Sequence, residues 1–111
     1  MNYNAESFYN IIAKTNLGRN LWLFLTNESI IKALIEKANQ GRTSVEAVDS
    51  IIKSKFGNEI DSLGKSKSDK YKKMIGHMIG QTLMSRGFRK INSKSLSGCS
   101  YFTHGHIFQK R

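Results

Sequence analysis

Residues 68–90 read SDKYKKMIGHMIGQTLMSRGFRK, and the fold turns on how that stretch is interpreted. Tyr71, Ile75, Met78, Ile79 and Leu83 recur at the spacing of one helical face, which predicts a long amphipathic helix over about residues 69–86. Ser66 or Ser68 offers an N-cap, and Gly87 offers the stop. Beyond Gly87 the helical period is lost. Residues 88–94 and 101–109 carry the aromatic content of two short strands, and Ser95-Leu96-Ser97-Gly98 supplies the turn residues of a hairpin.

Upstream, residues 57–68 (GNEIDSLGKSKS) are polar and read as a loop of twelve residues. Before that loop, Thr43-Ser44-Val45-Glu46 has the S/T-x-x-E spacing in which two side chains satisfy each other's free backbone N–H groups. It predicts a helix through Val48, Ile51, Ile52 and Phe56 that stops at Gly57. Asn27 caps another, with Ile30, Ile31, Leu34, Ile35 and Ala38 on its apolar face and Gly41 at its end. Residues 21–25, Leu-Trp-Leu-Phe-Leu, show no amphipathic period and are compatible with a buried strand or a helical turn. Phe8, Ile11 and Ile12 predict a short first helix closed by Gly18. The fold class is therefore mostly α with a C-terminal β-hairpin, in a single domain over residues 1–111. No internal repeat or low-complexity segment interrupts it.

Charge divides this domain. Residues 1–61 carry seven basic and seven acidic side chains, whereas residues 62–111 carry eleven basic side chains and one acid, Asp69, so the basic half holds the whole net charge of +10. Like charges repel in a compact chain, and such crowding points to a polyanionic partner, nucleic acid first. The single cysteine, Cys99, has no partner for an intramolecular disulfide, the first residues lack a signal-peptide pattern, and no apolar run approaches the roughly 20 residues that span a bilayer. The expected location is the cytoplasm, with no membrane association.

On the long helix, Lys70, Lys73, His77 and Gln81 share one stripe facing away from most apolar positions. Lysine suits phosphate, and His and Gln can hydrogen-bond base edges. Gly76 and Gly80 flank the stripe; each costs about 1 kcal/mol of helix propensity relative to Ala, which suits close approach of another helix or of DNA. Arg86, Arg89, Lys90 and Lys94 carry the positive charge onto the hairpin, and Lys110 and Arg111 end the chain.

The stretch from Ile75 to Lys90, followed by an aromatic strand running from Phe102 to Phe108, resembles the helix-plus-wing ends of winged helix-turn-helix modules. Such modules occur in small proteins and primase-associated domains of phages, plasmids and other mobile elements. The resemblance covers residues 43–111. It implies that the long helix enters a major groove while the hairpin touches the adjacent backbone or minor groove. Two features depart from the pattern: the helix is long, and the twelve-residue connection before it exceeds the usual three or four.

Other chemistries fit less well. Cys99, His104 and His106 are metal-ligand types, but they number three on one strand pair, with the two histidines on one face and the cysteine on the other. No metal or cofactor is expected, and the histidines suit contact with phosphate when protonated. No paired carboxylates, phosphate-binding glycine loop or oriented nucleophile marks an enzyme. Trp22, Phe24, Tyr71, Phe88, Tyr101, Phe102 and Phe108 are mostly expected in the core, although a stacking platform for RNA or single-stranded DNA would use the same residue types. The residue-level expectation is a double-stranded DNA binder, with Lys70, Lys73, Arg86, Arg89, Lys90 and Lys94 on phosphates and His77 and Gln81 on bases. The neutral half would supply core or a homodimer surface anchored by Trp22 and Leu23. An acidic or nucleic-acid-mimicking protein is the competing partner.

Overall fold

A computed structural model describes residues 10, 12–98 and 100–111. The predicted first helix rests on Phe8 and Ile11, which lie outside the described residues. Helix α1 spans Asn16–Leu25, with Thr15 Oγ1 accepting the Gly18 N–H at 2.9 Å. Gly18 thus belongs to the first turn of a helix and does not end one. Residues 21–25 are helical because Leu17, Leu21 and Leu25 fall four apart and are all buried, which leaves Leu23 outward at 67% exposure.

Helix α2, Glu28–Asn39, follows the expected pattern. Asn27 Oδ1 accepts the Ser29 N–H, and Ile31, Leu34 and Ala38 are buried. The next segment departs from expectation. Thr43 does not cap a helix: its hydroxyl donates to Glu46 Oε2 at 2.5 Å, while its backbone forms a β-bridge with Ile107. With the Thr43 hydroxyl donating to Glu46 and accepting no backbone N–H, residues Ser44–Ala47 form only a 3-10 turn, and helix α3 runs over Asp49–Asp61. It passes through Gly57 because one more turn places Ile60 in the core at zero exposure. Burial of an isoleucine, about 1.5–3 kcal/mol, outweighs the roughly 1 kcal/mol of a helical glycine.

The predicted twelve-residue loop therefore shrinks to Ser62-Leu63-Gly64. Gly64, at φ 91°, reverses the chain in a region that only glycine enters at little cost, and helix α4 begins at once over Lys65–Met84. Its N-cap is Gly64; Ser68 is buried inside the helix, and Ser66 is exposed within it. Tyr71, Met74, Ile75, Met78, Ile79 and Leu83 face the core. Gly87, at φ 88°, turns the chain into the hairpin.

Strands β1, Phe88–Ser95, and β2, His104–Lys110, pair antiparallel. The connection is longer than the expected four-residue turn, and Tyr101 and Phe102 lie in it, outside the strands. Asp49 explains this: its two carboxylate oxygens accept the backbone N–H groups of Tyr101 and Phe102 at 3.0 and 2.9 Å, drawing the segment onto the start of α3 and burying Phe102. On the other edge of β2, Thr43 makes its bridge to Ile107. The core is continuous from Leu21 and Leu34 through Ile52, Met74 and Met78 to Phe88 and Phe108. The fold is thus mostly helical with a two-stranded antiparallel hairpin, and no helix among the described residues is long and apolar enough to cross a membrane.

Candidate nucleic-acid interface and the groove beside it

The periodicity that buries Tyr71, Ile75 and Leu83 turns Lys70, Lys73 and Gln81 outward, and all three are exposed. His77, expected in the same solvent-facing stripe, is half-buried. It stands at the edge of a groove between α4 and the hairpin, its Nε2 3.5 Å from Gln81 Nε2.

The groove has a volume of about 690 Å³. One wall is α4, from Asp69 through Lys72 and Lys73 to Gly76, His77 and Gly80; the other is the segment from Tyr101 to His106, with Phe108 and Lys90. Alternation along β2 places His104, His106 and Phe108 on the groove face. Lys90 joins them because it pairs directly across from Phe108.

A bulge at Ile91 separates the hairpin cations. In a regular strand Lys90 and Lys94 would share a face; the register shift between Lys90 and Asn92 puts Lys94 opposite Gly105 and on the other face. Arg89 is also turned away from the groove and donates to Gln109 Oε1 at 3.2 Å. Arg86 is held elsewhere: its guanidinium pairs with Glu28 at 2.6 Å, tying the end of α4 to the start of α2. Of the eight expected contacts, Lys70, Lys73, His77, Gln81 and Lys90 are brought to one side of the molecule, Arg89 and Lys94 share the opposite hairpin face, and Arg86 is neutralised by a carboxylate.

Lys72 joins the site without having been singled out for it, and so does Tyr101, which the sequence offered as core or as part of a single-strand stacking platform. The Lys72 ammonium lies 4.3 Å from the Tyr101 ring centroid, and the Tyr101 hydroxyl donates to Asp61 Oδ1 at 3.1 Å. Burial, reinforced by that carboxylate, pushes the Tyr101 phenol up to about 12. The His104 and His106 spacing was a readable signal for a shared face, whereas their meeting with His77 was not. Burial and then the Lys90 charge hold His77 below the ordinary imidazole value. The same two causes, in the same order, lower His106 against a smaller opposing pull from the Asn92 backbone. Both rings therefore hold a proton less readily than a free imidazole, and the Lys90 ammonium stands within electrostatic reach of both.

Among the described residues no three His, Cys, Asp or Glu side chains group closely enough to hold a metal ion, and Cys99 lies outside them. Tyr71, Phe88, Phe102 and Phe108 are buried, so most of the aromatic set is core. No protein-family model, curated protein or solved structure matches the chain.

Proposed function

We propose that the protein binds nucleic acid, double-stranded DNA foremost, with α4 in the major groove and the hairpin beside it as a wing. The observation that carries this reading is the exposed face of α4, where Lys70, Lys73 and Gln81 project together next to Lys90 of β1. Asp69 is the single acid of the basic half. The two lysines and Lys90 suit phosphates, and Gln81 suits the edge of an adenine.

The order of elements supports the winged helix-turn-helix likeness. A three-residue connection containing a glycine with positive φ joins α3 to α4, which is the tight turn of such a motif. Thr43, between α2 and α3, adds a bridge to the edge of β2, so that the wing is braced by the segment preceding the motif. The exposed Leu23 of α1 and the half-buried Trp22 beside it form the surface on which a second copy would dock.

The test is fluorescence anisotropy of labelled random duplex, single-stranded DNA and RNA, titrated from about 50 to 200 mM salt. Micromolar or tighter duplex binding that weakens log-linearly with salt is expected. Preference for unpaired strands would move the assignment to RNA or single-stranded DNA. Absence of binding to all three at low salt would overturn it in favour of an acidic protein partner.

A further inference from the structure

All three histidines of the chain line the groove beside α4, although they come from two elements, His77 from the helix and His104 and His106 from β2. Lys72, Lys73 and Lys90 line it with them, against one carboxylate among the described lining residues, Asp69. Asp69 precedes Lys72 and Lys73 by three and four residues on α4, so it counters charge at their end of the groove only. Neither Lys73 nor Lys90 forms an ion pair among the described residues.

Val45, Ile79, Phe102 and Phe108 are each no more than 5% exposed, so the groove presents little of them. The side chains that do open onto it, Met84 and the Tyr101 ring apart, are charged or polar. Such a lining suits an anion. Its cations are also spread out. The Lys72 ammonium lies 4.3 Å from the Tyr101 ring centroid, and a Cβ on Gly80 would lie 3.9 Å from Phe108. The segment from Tyr101 to Phe108 therefore runs alongside α4 in the same direction, with His104 and His106 between those two contacts. From Lys72 to Gly80 the helix rises about 12 Å. Lys72, Lys73 and His104 stand toward one end of that length, and His77, His106 and Lys90 toward the other. A single small anion meets one of these two groups; a chain of linked phosphates meets both.

We propose that the groove binds a chain of linked phosphates by charge, with no contact specific to a base. The chain is either the backbone of a nucleic-acid strand or inorganic polyphosphate; the chemistry recognised is the same. The site shares Lys73 and Lys90 with the duplex face and adds Lys72, His104 and His106, which a duplex on the outer side of α4 does not require. Burial, and then the Lys90 charge, oppose protonation of His77 and His106. An arriving phosphate offsets the second cause, so binding takes up protons and tightens as pH falls. The charged and titratable groups facing the two rings are Lys90 on β1, His104 on β2, and Asp69, Lys72 and Lys73 on α4. Tyr101 is neutral beside them, its hydroxyl on Asp61 of α3, and Asp49 is turned to the backbone of the Tyr101 segment. The 3-10 turn adds only Val45.

Isothermal titration of the full chain at about 50 mM salt tests the site with tripolyphosphate, orthophosphate, an abasic deoxyribose-phosphate tetramer and the matching thymidine tetramer. Tripolyphosphate or the abasic tetramer is expected to bind, with orthophosphate weaker by about tenfold or more, and the thymidine tetramer should match the abasic one. Lys72→Gln should weaken the tighter ligand by about threefold or more, whereas Lys53→Gln, which removes the same charge from the exposed face of α3, should leave it unchanged. The abasic tetramer has diesters that do not titrate near neutrality. Its affinity should rise from pH 7.5 to 5.5 with proton uptake, seen in buffers of different ionisation enthalpy, and His77→Gln with His106→Gln should abolish both. Should that double variant melt without cooperativity, Lys72→Gln and the proton uptake of the wild type decide. Tighter binding of the abasic tetramer makes a strand the ligand, and equal or tighter binding of tripolyphosphate makes it free polyphosphate. No binding of either at millimolar concentration, equal losses from Lys53→Gln and Lys72→Gln, a thymidine tetramer far tighter than the abasic one, or binding without proton uptake would overturn the proposal. Duplex anisotropy on the same preparations reads the DNA assignment separately, so that either can fail alone.

Discussion

Asp49, in the first turn of α3, holds Phe102 across the fold by accepting its backbone N–H at 2.9 Å, while the other carboxylate oxygen takes the N–H of Tyr101 at 3.0 Å. One side chain thus fixes the segment that forms a wall of the groove. Asp49→Ala leaves two part-buried donors without partners and should destabilise the protein by about 2–4 kcal/mol in urea unfolding, with Asp49→Asn intermediate because its amide oxygen keeps one acceptor.

Two glycines should respond in opposite directions. A Cβ on Gly105 would lie 2.6 Å from Val45 Cγ1 and 2.8 Å from Thr43 Cβ, and the second atom is fixed to the backbone, so Gly105→Ala must push β2 away from its bridge. A loss of about 1–3 kcal/mol is expected. Gly76→Ala meets no atom within 4 Å and should stabilise the helix by up to about 1 kcal/mol. Thermal melts of the pair decide, and stabilisation of Gly105→Ala would contradict the packing described.

The division of the hairpin cations predicts unequal effects on duplex binding. Lys73→Ala and Lys90→Ala should each reduce the salt slope of binding by about one, while Arg89→Ala and Lys94→Ala, on the far face, should change it much less. Equal effects from all four would show that the bulge does not partition the surface. Gln81→Ala should flatten preference among selected sequences and leave the slope nearly unchanged.

Stability should fall on mild acidification. The folded state holds the His77 and His106 imidazoles below their ordinary value of 6.5, so through that range the unfolded chain binds more protons than the native one, and stability declines as pH drops. Glu28 and Glu46, held below the usual carboxylate value by Arg86 and by the Thr43 hydroxyl respectively, add their loss only at lower pH, as the fall passes below 4.5. Urea midpoints measured from pH 7.5 to 5.5 should therefore decrease, and His77→Gln with His106→Gln should flatten the decline. A midpoint independent of pH over that interval would show that the rings are not protected from protonation.

The ion pair between Glu28 and Arg86 makes one further prediction. Glu28→Gln releases the Arg86 guanidinium at the end of α4, and duplex affinity at low salt should rise while the thermal midpoint stays nearly the same, since both partners are solvent-exposed. A fall in affinity would place Glu28 itself in the contact surface.

What the chain by itself determined is what local rules govern. The existence of α2 and α4 follows from four-residue apolar spacing. The Asn27 cap, the turn at Gly87 and the aromatic hairpin follow from the residues at those points, and the confinement of net charge to residues 62–111 is arithmetic. Tertiary structure decided whatever depends on a partner distant in sequence. Ile60, finding a place in the core, carried α3 through Gly57; Leu17, Leu21 and Leu25, packed on one side, made a helix of residues 21–25. Thr43 pairs with Ile107 and gives its hydroxyl to Glu46, and a 3-10 turn stands where the sequence pattern put the start of a helix. One extra residue at Ile91 moved Lys90 and Lys94 to opposite faces, and the closure of β2 beside α4 brought His106 and Lys90 to His77. Periodicity within a segment says which residues share a face, but the identity of the neighbour on that face is set by the packing of the whole chain.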